Sequence, residues 1–470
     1  MKGLVIGGEF NSIIVRQKAD EMLEIGEILI CENHLLQVVD LRFGSQLSAQ
    51  GVELASGLMM EGADVTLMDE HVRQYILGTA KNLVTLDPHP RACKSLPPFF
   101  GQVREVQEKD LQFLSLPQDP LILGKIRSAS KVLDVAAAID GPLALAHHML
   151  VCGATGKGKS NLMRNLLWAV CNAEYCGLLV LDPHDEYYGR ARRGLKDHPR
   201  KPMYFARNPP AGGYSLMINI QTLLPWHFEG IVEWSEPQRE CLMSYFRQYR
   251  ESWIEAVIAG KDVKGNFFEA TLQVIQRRLQ HLLGINERLM CSSCFCTQGG
   301  LTTVRDIILA LRTGKKVIVN TSDLSGSAEL LVGSMIATDL LYASKEMGLD
   351  KLHDLPTVSV VLEEAPRVLG QNCAPNIFGT IAREGRKFKV GLIAITQLPS
   401  LIPREILANM NTKIILGMDS KAERQAIIDS ASTDLSSDDR MIASLDRGEA
   451  IVSSSFLPFA IPLAIEMFKQ

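Results

Sequence analysis

The pattern of apolar and polar positions divides the chain into two parts of different character. Residues 1–128 contain short runs in which apolar residues stand together or alternate with polar ones, and glycines and prolines separate the runs. SIIVRQ (12–17) and LLQVVDLRF (35–43) are examples. Such runs are typical of short strands, so this part is predicted to form a small β-barrel, with a more helical stretch over 45–60.

From His148 onward, apolar runs alternate with segments long enough to form amphipathic helices. The runs have the length of strands, and their alternation with helices is typical of a parallel sheet in an α/β fold. The predicted strands are HMLVC (148–152), GLLVLD (177–182), KVIVN (316–320), TVSVVLEE (357–364), VGLIAIT (390–396), KIILGM (413–418) and EAIVSS (449–454).

A long insertion separates the second of these strands from the third. Apolar residues recur at three-to-four spacing over 237–258 and over 267–283, which predicts two strong helices. The sequence therefore predicts three structural parts. They are a β-barrel-like domain over 1–128, an α/β domain over 129–470, and a helical insertion over 216–300 within the α/β domain.

The composition is that of an ordinary globular protein. Of the 470 residues, 46% are hydrophobic and 22% are charged, so the chain can bury a large core and lacks the polar balance of disorder. The net charge of −4 gives no overall basic footprint for nucleic acid. This total does not exclude DNA, because a ring that contacts DNA only along its pore needs just a few basic loops.

Membrane spans and secretion signals are not expected. The longest charge-free stretch, 208–228, contains three prolines and two glycines, and the N-terminus has no long apolar region. The ten cysteines are mostly scattered through apolar runs, which fits reduced thiols in the cytoplasm. Cys291, Cys294 and Cys296 are clustered, but zinc would need a fourth ligand, so free thiols are favoured. We expect a cytoplasmic protein with no membrane partner.

The segment GATGKGKS (153–160) matches the phosphate-loop pattern G-x-x-x-x-G-K-[ST] and lies between a predicted strand and a predicted helix. Glycines let the backbone N–H groups face phosphates, and the helix N-terminus adds positive potential. Lys159 is expected to bind the β- and γ-phosphates of ATP, and Ser160 to bind Mg²⁺. A glycine-rich turn without a ligand is the alternative. The candidate nucleotide-binding residues are Gly153, Ala154, Thr155, Gly156, Lys157, Gly158, Lys159, Ser160 and Asn161.

A pair of carboxylates follows the apolar run TVSVVL. Hydrolysis at a phosphate loop needs a carboxylate at the end of a neighbouring strand to hold Mg²⁺, and usually a second to activate water. Glu364 is the candidate general base, and Glu363 is the candidate for the Mg²⁺ shell, through water. Asp is the commoner residue at the Mg²⁺ position. An exposed acidic strand end is the alternative interpretation.

Two further strand ends carry polar residues. Asp182 follows GLLVL and is a candidate for orienting Mg²⁺, although turn formation and helix capping would also explain it. Gln397 follows VGLIAIT and is placed to sense the γ-phosphate, a role that an ordinary polar strand end would explain almost as well.

In their order, these motifs resemble the HerA branch of the HerA/FtsK family. The matching pieces are GATGKGKS, LDPHDEY, LEEA, IAREGRKFKVGLIAITQLPS and NTKIILGM, between residues 148 and 418. The resemblance implies a RecA-like P-loop ATPase core with an inserted helical subdomain, preceded by a small β-barrel. It also implies a homo-hexameric ring that uses ATP and Mg²⁺ to thread double-stranded DNA, often with a nuclease of the NurA type.

The resemblance further implies that an arginine of one subunit reaches the ATP of the next and stabilises the transferring phosphoryl group. Arg383 and Arg386 in IAREGRK are the candidates, and with Lys387 they would share one helical face. Cations that complement a helix C-terminus are the alternative. The family often has an arginine just before the phosphate-loop strand, where this chain has His147 and His148.

A basic loop over 189–201 is the candidate DNA contact. A loop of this kind suits phosphate contacts in a pore, where sequence is irrelevant and salt dependence is expected. The alternative is a solvated surface loop. The candidate DNA-binding residues are Arg190, Arg192, Arg193 and Lys196.

The resemblance therefore implies an ATP-dependent hexameric translocase or helicase for double-stranded DNA, acting in DNA end processing or antiviral defence. An ABC-type ATPase is disfavoured because Leu324-Ser325-Gly326-Ser327 directly follows a predicted strand, and a small GTPase is disfavoured because no N-K-x-D motif occurs. The main rival is an ATP-loaded ring that assembles and activates a nuclease or other effector without translocation. Both functions would need the same nucleotide site, so the sequence leaves both open.

Overall fold

A computed structural model describes residues 1–65, 73–87, 89–190, 193–265 and 267–468, without the side chain of Leu349. Contacts between Cα atoms group the chain into two compact units. The first unit contains Met1–Pro117, Ile122–Ala138 and Ile415–Ile465. The second unit contains Gln118–Leu121, Ile139–Ile414 and the residues from Glu466 onward.

The first unit begins with a closed β-barrel. Six strands pair antiparallel in the order β2-β1-β7-β3-β4-β5, and β2 also pairs with β5, which closes the ring. Inward positions such as Ile13, Val15 and Val38 are fully buried. The predicted barrel is confirmed. Its elements are β1 (Gly3–Glu9), β2 (Ser12–Gln17), β3 (Ile28–Cys31), β4 (His34–Ser45), α1 (Ala49–Met60), β5 (Gln74–Thr85), the short β6 (Arg91–Ala92) beside β5, and β7 (Gln102–Glu105).

The second unit is built on a parallel sheet, as predicted. Two neighbouring strands, β8 (Pro120–Ser128) and β9 (Lys131–Asp140), precede it in sequence and belong mostly to the first unit. The strand order is β13-β12-β16-β11-β17-β18-β10, and β19 lies beside β10. Strands β10, β11, β16, β17 and β18 are buried throughout, as expected for a parallel sheet with both faces covered. The strands of this unit are β10 (Met149–Cys152), β11 (Cys176–Asp182), β12 (Met203–Ala206), β13 (Tyr214–Ser215), β14 (Ile218–Asn219), β15 (Phe295–Cys296), β16 (Lys316–Asn320), β17 (Thr357–Leu362), β18 (Val390–Thr396) and β19 (Thr412–Leu416).

Helices cover the sheet and form the insertion between β14 and β16. The helix predicted over 237–258 is two helices, because Arg250 has φ 49° and a 3₁₀ turn over Arg250–Ser252 separates them. The predicted helix over 267–283 is confirmed as one element. The helices are α2 (Gly141–Ala146), α3 (Lys159–Val170), α4 (Glu236–Tyr249), α5 (Trp253–Ile258), α6 (Glu269–Leu283), α7 (Thr303–Arg312), α8 (Gly326–Met347), α9 (Leu349–Leu352), α10 (Pro366–Leu369), α11 (Ile377–Glu384) and α12 (Arg404–Asn409).

The residues from Ile415 to Ile465 belong to the first unit. They form α13 (Lys421–Ser430), α14 (Asp439–Ser444), β20 (Glu449–Ser453) and β21 (Ile461–Ala464). β20 was expected among the parallel strands, but it pairs antiparallel with β21. The connection between them is too short for the crossover that a parallel pair requires. The domain borders 1–128 and 129–470 and the insertion borders 216–300 stay predictions. Within the described ranges, no helix is both long and apolar enough to cross a membrane.

Candidate nucleotide-binding site

The phosphate loop connects β10 to α3. Gly156 has φ 80° and Gly158 has φ 112°, backbone angles that residues other than glycine rarely adopt. Gly158 is the N-cap residue of α3, so the first N–H groups of the helix lack intrahelical partners and face the loop. This arrangement of free N–H groups at a helix N-terminus fits the phosphates of a nucleotide.

Lys159 lies inside the curve of the loop. Its Nζ donates to the carbonyl oxygens of Gly153, at 2.8 Å, and Ala154, at 3.1 Å. Burial lowers the pKa of Lys159, while Cys152 and the charge of Glu363 raise it. The ammonium group is therefore held over the loop and within the field of Glu363.

Gln397 and the phosphate loop are brought together. β18 pairs with β10 so that Thr396 lies opposite Cys152, which places Gln397 beside the start of the loop. The hydroxyl of Thr155 donates to Gln397 Oε1 at 2.5 Å. The predicted neighbourhood of Gln397 is present, and its role as a sensor stays a prediction.

Glu363 follows β17, and β17 is separated from β10 by β18. The carboxylate strand is therefore one strand further from the phosphate loop than the expected neighbouring strand. Glu363 accepts a hydrogen bond from the hydroxyl of the buried Tyr187. Burial raises the pKa of Glu363, the bond from Tyr187 lowers it, and the charges of Glu186 and Asp182 raise it. Sequence reasoning missed Tyr187, although it lies within the quoted motif LDPHDEY.

Glu364 is exposed and has φ 48°, a left-handed conformation that is unfavourable for a residue with a side chain. Two backbone hydrogen bonds stabilise this turn, one within it and one to β18. The N–H of Arg367 donates to the carbonyl of Glu364 at 2.9 Å, and the N–H of Ala365 donates to Ile395 at 2.9 Å. The turn ends the strand abruptly and leaves the carboxylate of Glu364 in solvent, where a general base could reach water.

Asp182 ends β11 and is 1% exposed. Its carboxylate accepts hydrogen bonds from the backbone N–H groups of His184, Glu186 and Tyr187 at 3.1–3.3 Å. Such bonds are expected if Asp182 forms a turn, which is the alternative to a role at Mg²⁺. A role of Asp182 at Mg²⁺ stays a prediction, and Ser160 and Glu363 are the other candidate ligands.

Asn161 is the third residue of α3, and its side chain is bonded to Glu466 and Phe468 rather than directed into the loop. Only its backbone N–H, in the first turn of the helix, is placed for a phosphate. Sequence reasoning missed the contact because more than 300 residues separate the partners.

Arg383 and Arg386 lie on the surface. Helix α11 ends at Glu384, and Arg386 and Lys387 lie in the 3₁₀ turn that follows, so the three cations do not share one α-helix. Arg383 pairs with Glu405 at 3.0 Å. The arginine-finger role involves a second subunit and stays a prediction.

The basic loop is partly occupied by contacts within the chain. Arg190 pairs with Asp185 at 3.0 Å and donates to Tyr204 at 2.9 Å. Lys196 Nζ donates to the carbonyl of Arg190 at 3.1 Å. Arg193 is exposed, and Arg192 lies outside the described residues. Arg190 and Lys196 thus stabilise the loop through contacts within the chain. Contact of the candidate residues with DNA stays a prediction.

The three clustered cysteines, Cys291, Cys294 and Cys296, differ in exposure. Within the residues that the structure describes, no group of three or more His, Cys, Asp or Glu side chains is placed to hold a metal ion. Cys294 is buried and Cys296 contacts the backbone carbonyls of Ile218 and Gly299. The interpretation as free thiols without a metal stays a prediction.

Known proteins match the chain over most of its length. The family model for "Helicase HerA, central domain" matches residues 121–340. The DNA double-strand break repair helicase HerA of Sulfurisphaera tokodaii is 26% identical over 421 residues, which cover 86% of this chain and 80% of that protein. The protein of the same name from Saccharolobus solfataricus is 26% identical, with 80% and 74% covered.

Solved structures of the bacterial conjugative coupling protein TrwB share the fold. An unbound form has a TM-score of 0.51 and 13% identity, and the match covers 78% of this chain and 93% of that chain. A complex of TrwB with a non-hydrolysable ATP analogue has a TM-score of 0.51 and 12% identity, with 78% and 94% covered. This likeness shows a RecA-like P-loop ATPase fold. With the phosphate loop formed and the HerA match extending over it, this protein resembles the HerA branch of the HerA/FtsK superfamily of P-loop ATPases.

Proposed function

We propose that this protein is an ATP-driven translocase or helicase that moves double-stranded DNA. The observation that carries the proposal is the similarity to relatives named as DNA double-strand break repair helicases, over 86% of the chain for one of them. The match to the HerA central domain includes the phosphate loop. The substrate of such a motor is duplex DNA, and its fuel is ATP.

The residues around the phosphate loop fit ATP and Mg²⁺. The first N–H groups of α3 and Lys159 would bind the phosphates, and Ser160 and Glu363 would hold Mg²⁺, Glu363 through water. When bound, Mg²⁺ neutralises charge on the phosphate oxygens. Glu364 takes a proton from the attacking water, and Gln397, bonded to Thr155, orients groups beside the terminal phosphate.

The motor acts as a homo-hexameric ring in the cytoplasm, with a NurA-type nuclease or another effector as partner, in DNA end processing or antiviral defence. Arg383 and Arg386 are exposed, as residues that reach into a neighbouring subunit must be. Arg193 and Lys196 provide positive charge for DNA phosphates, and such contacts predict binding that weakens with salt.

The test is ATP hydrolysis by the purified protein with and without linear duplex DNA, with the oligomer size measured in the same buffer. Strong stimulation by duplex DNA from a hexamer is expected, because a motor couples turnover to its track. Lys159→Ala provides the blank, since it removes the phosphate-binding ammonium group.

Hydrolysis that ignores DNA would contradict the motor and favour the ATP-loaded scaffold. Glu364→Gln separates the two functions further. It keeps the shape of the side chain but removes the base, so a motor loses translocation, whereas a scaffold that needs only bound ATP still activates its effector.

A further inference from the structure

A short segment that follows β21 lies along the helix of the phosphate loop. Asn161, Asn165 and Trp168 are spaced four and three residues apart, so they line one face of α3. The carbonyl oxygen of Glu466 accepts a hydrogen bond from Asn161 Nδ2 at 2.9 Å and another from Asn165 Nδ2 at 2.6 Å. The N–H of Phe468 donates to Asn161 Oδ1 at 2.8 Å. Three hydrogen bonds thus tie residues 466–468, the 466–468 segment, to the helix.

Aromatic packing anchors the end of the segment. The ring of Phe468 contacts Trp168 edge-to-face, with centroids 5.5 Å apart. Trp168 also contacts the ring of His198, at 4.6 Å, and the guanidinium of Arg193, at 5.4 Å. Edge-to-face aromatic pairs and cation–π contacts are stabilising geometries. Phe468 therefore packs against an indole that is itself held in place.

This attachment lies directly beside the nucleotide site. Asn161 adjoins Ser160, and its own N–H belongs to the first turn of α3, where the phosphate-binding donors are. On another side of the helix, Arg164 Nε donates at 3.2 Å to the carbonyl of Glu186, which lies in the segment that follows β11. The first two turns of α3 are therefore held by two separate attachments, the 466–468 segment and the bond to Glu186. The 466–468 segment contacts Asn161, the residue of the two attachments that is nearer to the phosphate loop.

We propose that the 466–468 segment is a positioning element for ATP binding. It fixes the first turns of α3 in the orientation in which their N–H groups face the phosphates, and a fixed site binds its ligand more tightly than one that must be ordered on binding. The segment acts through α3 and not on the reacting atoms. This inference rests on the proposed function only for the identity of the ligand, ATP, and is independent of DNA.

The test uses Asn165→Ala and Phe468→Ala, which weaken the attachment without changing the phosphate loop. Binding of a fluorescent ATP analogue with Mg²⁺ is measured without DNA. We expect each variant to bind about fivefold more weakly, the effect of losing one ordinary contact, and the double variant to lose less than the product of the two effects. KM for ATP should rise while kcat stays within about twofold, because the lost interaction orders the site before reaction.

Asn172→Ala is the matched control, because it removes the same amide just beyond the end of α3, and we expect unchanged affinity. Phe468→Tyr keeps the ring and should retain most of the affinity. Unchanged ATP affinity in both alanine variants would overturn the proposal. So would a fall in kcat that parallels a loss of thermal stability, because that result indicates a merely structural contact. The two proposals can fail separately. If DNA does not stimulate ATP hydrolysis but Asn165→Ala binds ATP more weakly, the translocase proposal is wrong and the positioning role of the 466–468 segment is supported.

Discussion

The carboxylate of Glu363 is subject to opposing influences on its pKa. Burial raises the pKa, and the hydrogen bond from the hydroxyl of Tyr187 lowers it. Tyr187 is 1% exposed, so water cannot easily replace the phenol as donor. In its proposed role at hydrated Mg²⁺, Glu363 would act in its ionised form, so we expect Tyr187 to extend the pH range of that role.

Tyr187→Phe should therefore shift the acidic limb of the pH profile of ATP hydrolysis to higher pH. The pKa of Glu363 rises when the donor is lost, so Glu363 becomes protonated at a pH where the native protein still has it ionised. The free energy of unfolding should fall by about 1 kcal/mol for the lost hydrogen bond. Tyr188→Phe is the control, because Tyr188 is also buried but stacks through its ring on Tyr204 at 3.9 Å. An unmoved acidic limb would show that Glu363 does not limit the reaction at low pH.

At the scale of elements, His148 connects the start of the phosphate-loop strand to β18. Its Nδ1 accepts a hydrogen bond from the N–H of Leu392 at 3.0 Å. Burial lowers its pKa to about 4, helped by the positive charges of His147 and Arg386. The imidazole is therefore neutral in the folded protein at neutral pH, where an arginine would be charged.

The low pKa of His148 makes folding stability depend on pH. The folded pKa lies below the unfolded value, so this contribution to stability is fully present above about pH 6.5 and is lost as the pH falls toward about 4. From pH 7 to 4 the loss attributable to this residue is about 3 kcal/mol. His148→Asn should flatten this dependence, because Asn keeps an acceptor and tolerates the φ of 59° but does not titrate.

Urea unfolding at pH 7 and at pH 4.5, followed by tryptophan fluorescence, measures the effect, because all four tryptophans lie in the second unit. His353→Asn is the control, since the side chain of His353 is 88% exposed. Equal pH dependence in the native protein and in His148→Asn would mean that His148 is not the titrating group.

The elements that the sequence predicts are those whose signal is local. The phosphate loop is predictable because its glycines, Lys159 and the flanking strand are contiguous, and the buried strands are predictable from their apolar runs. The bond from Tyr187 to Glu363 is not predictable in this way, because the two residues are 176 apart in sequence. The basic loop shows a second limit, because composition predicts positive charge but does not show that Arg190 pairs with Asp185.

At the scale of the whole molecule, the first unit combines the barrel with residues from the far end of the sequence. Lys81 of β5 forms an ion pair with Asp438, which precedes α14, and the two residues are 6% and 0% exposed. Lys81 contacts Oδ2 of Asp438, and Oδ1 has no hydrogen-bond partner within the described residues. A buried carboxylate in this state depends on its lysine, and no local sequence pattern predicts the pair, because its residues are 357 apart. The barrel strand and the distant segment should therefore unfold together.

Lys81→Met should destabilise the first unit by about 3–5 kcal/mol, because it leaves the charge of Asp438 buried and unpaired. The double variant Lys81→Met/Asp438→Leu should recover most of this loss, since neither charge is then buried. Hydrogen exchange of the amides in β5 and α14 is the appropriate measurement, because these elements adjoin the two ends of the ion pair and the first unit contains no tryptophan. Lys125→Met is the control, because its partner Asp134 is 78% exposed and such surface pairs contribute at most about 1 kcal/mol. If the exchange rates of β5 and α14 rise together in Lys81→Met and return in the double variant, the barrel and the 415–465 segment form one cooperative unit. A rise confined to β5 would contradict that conclusion.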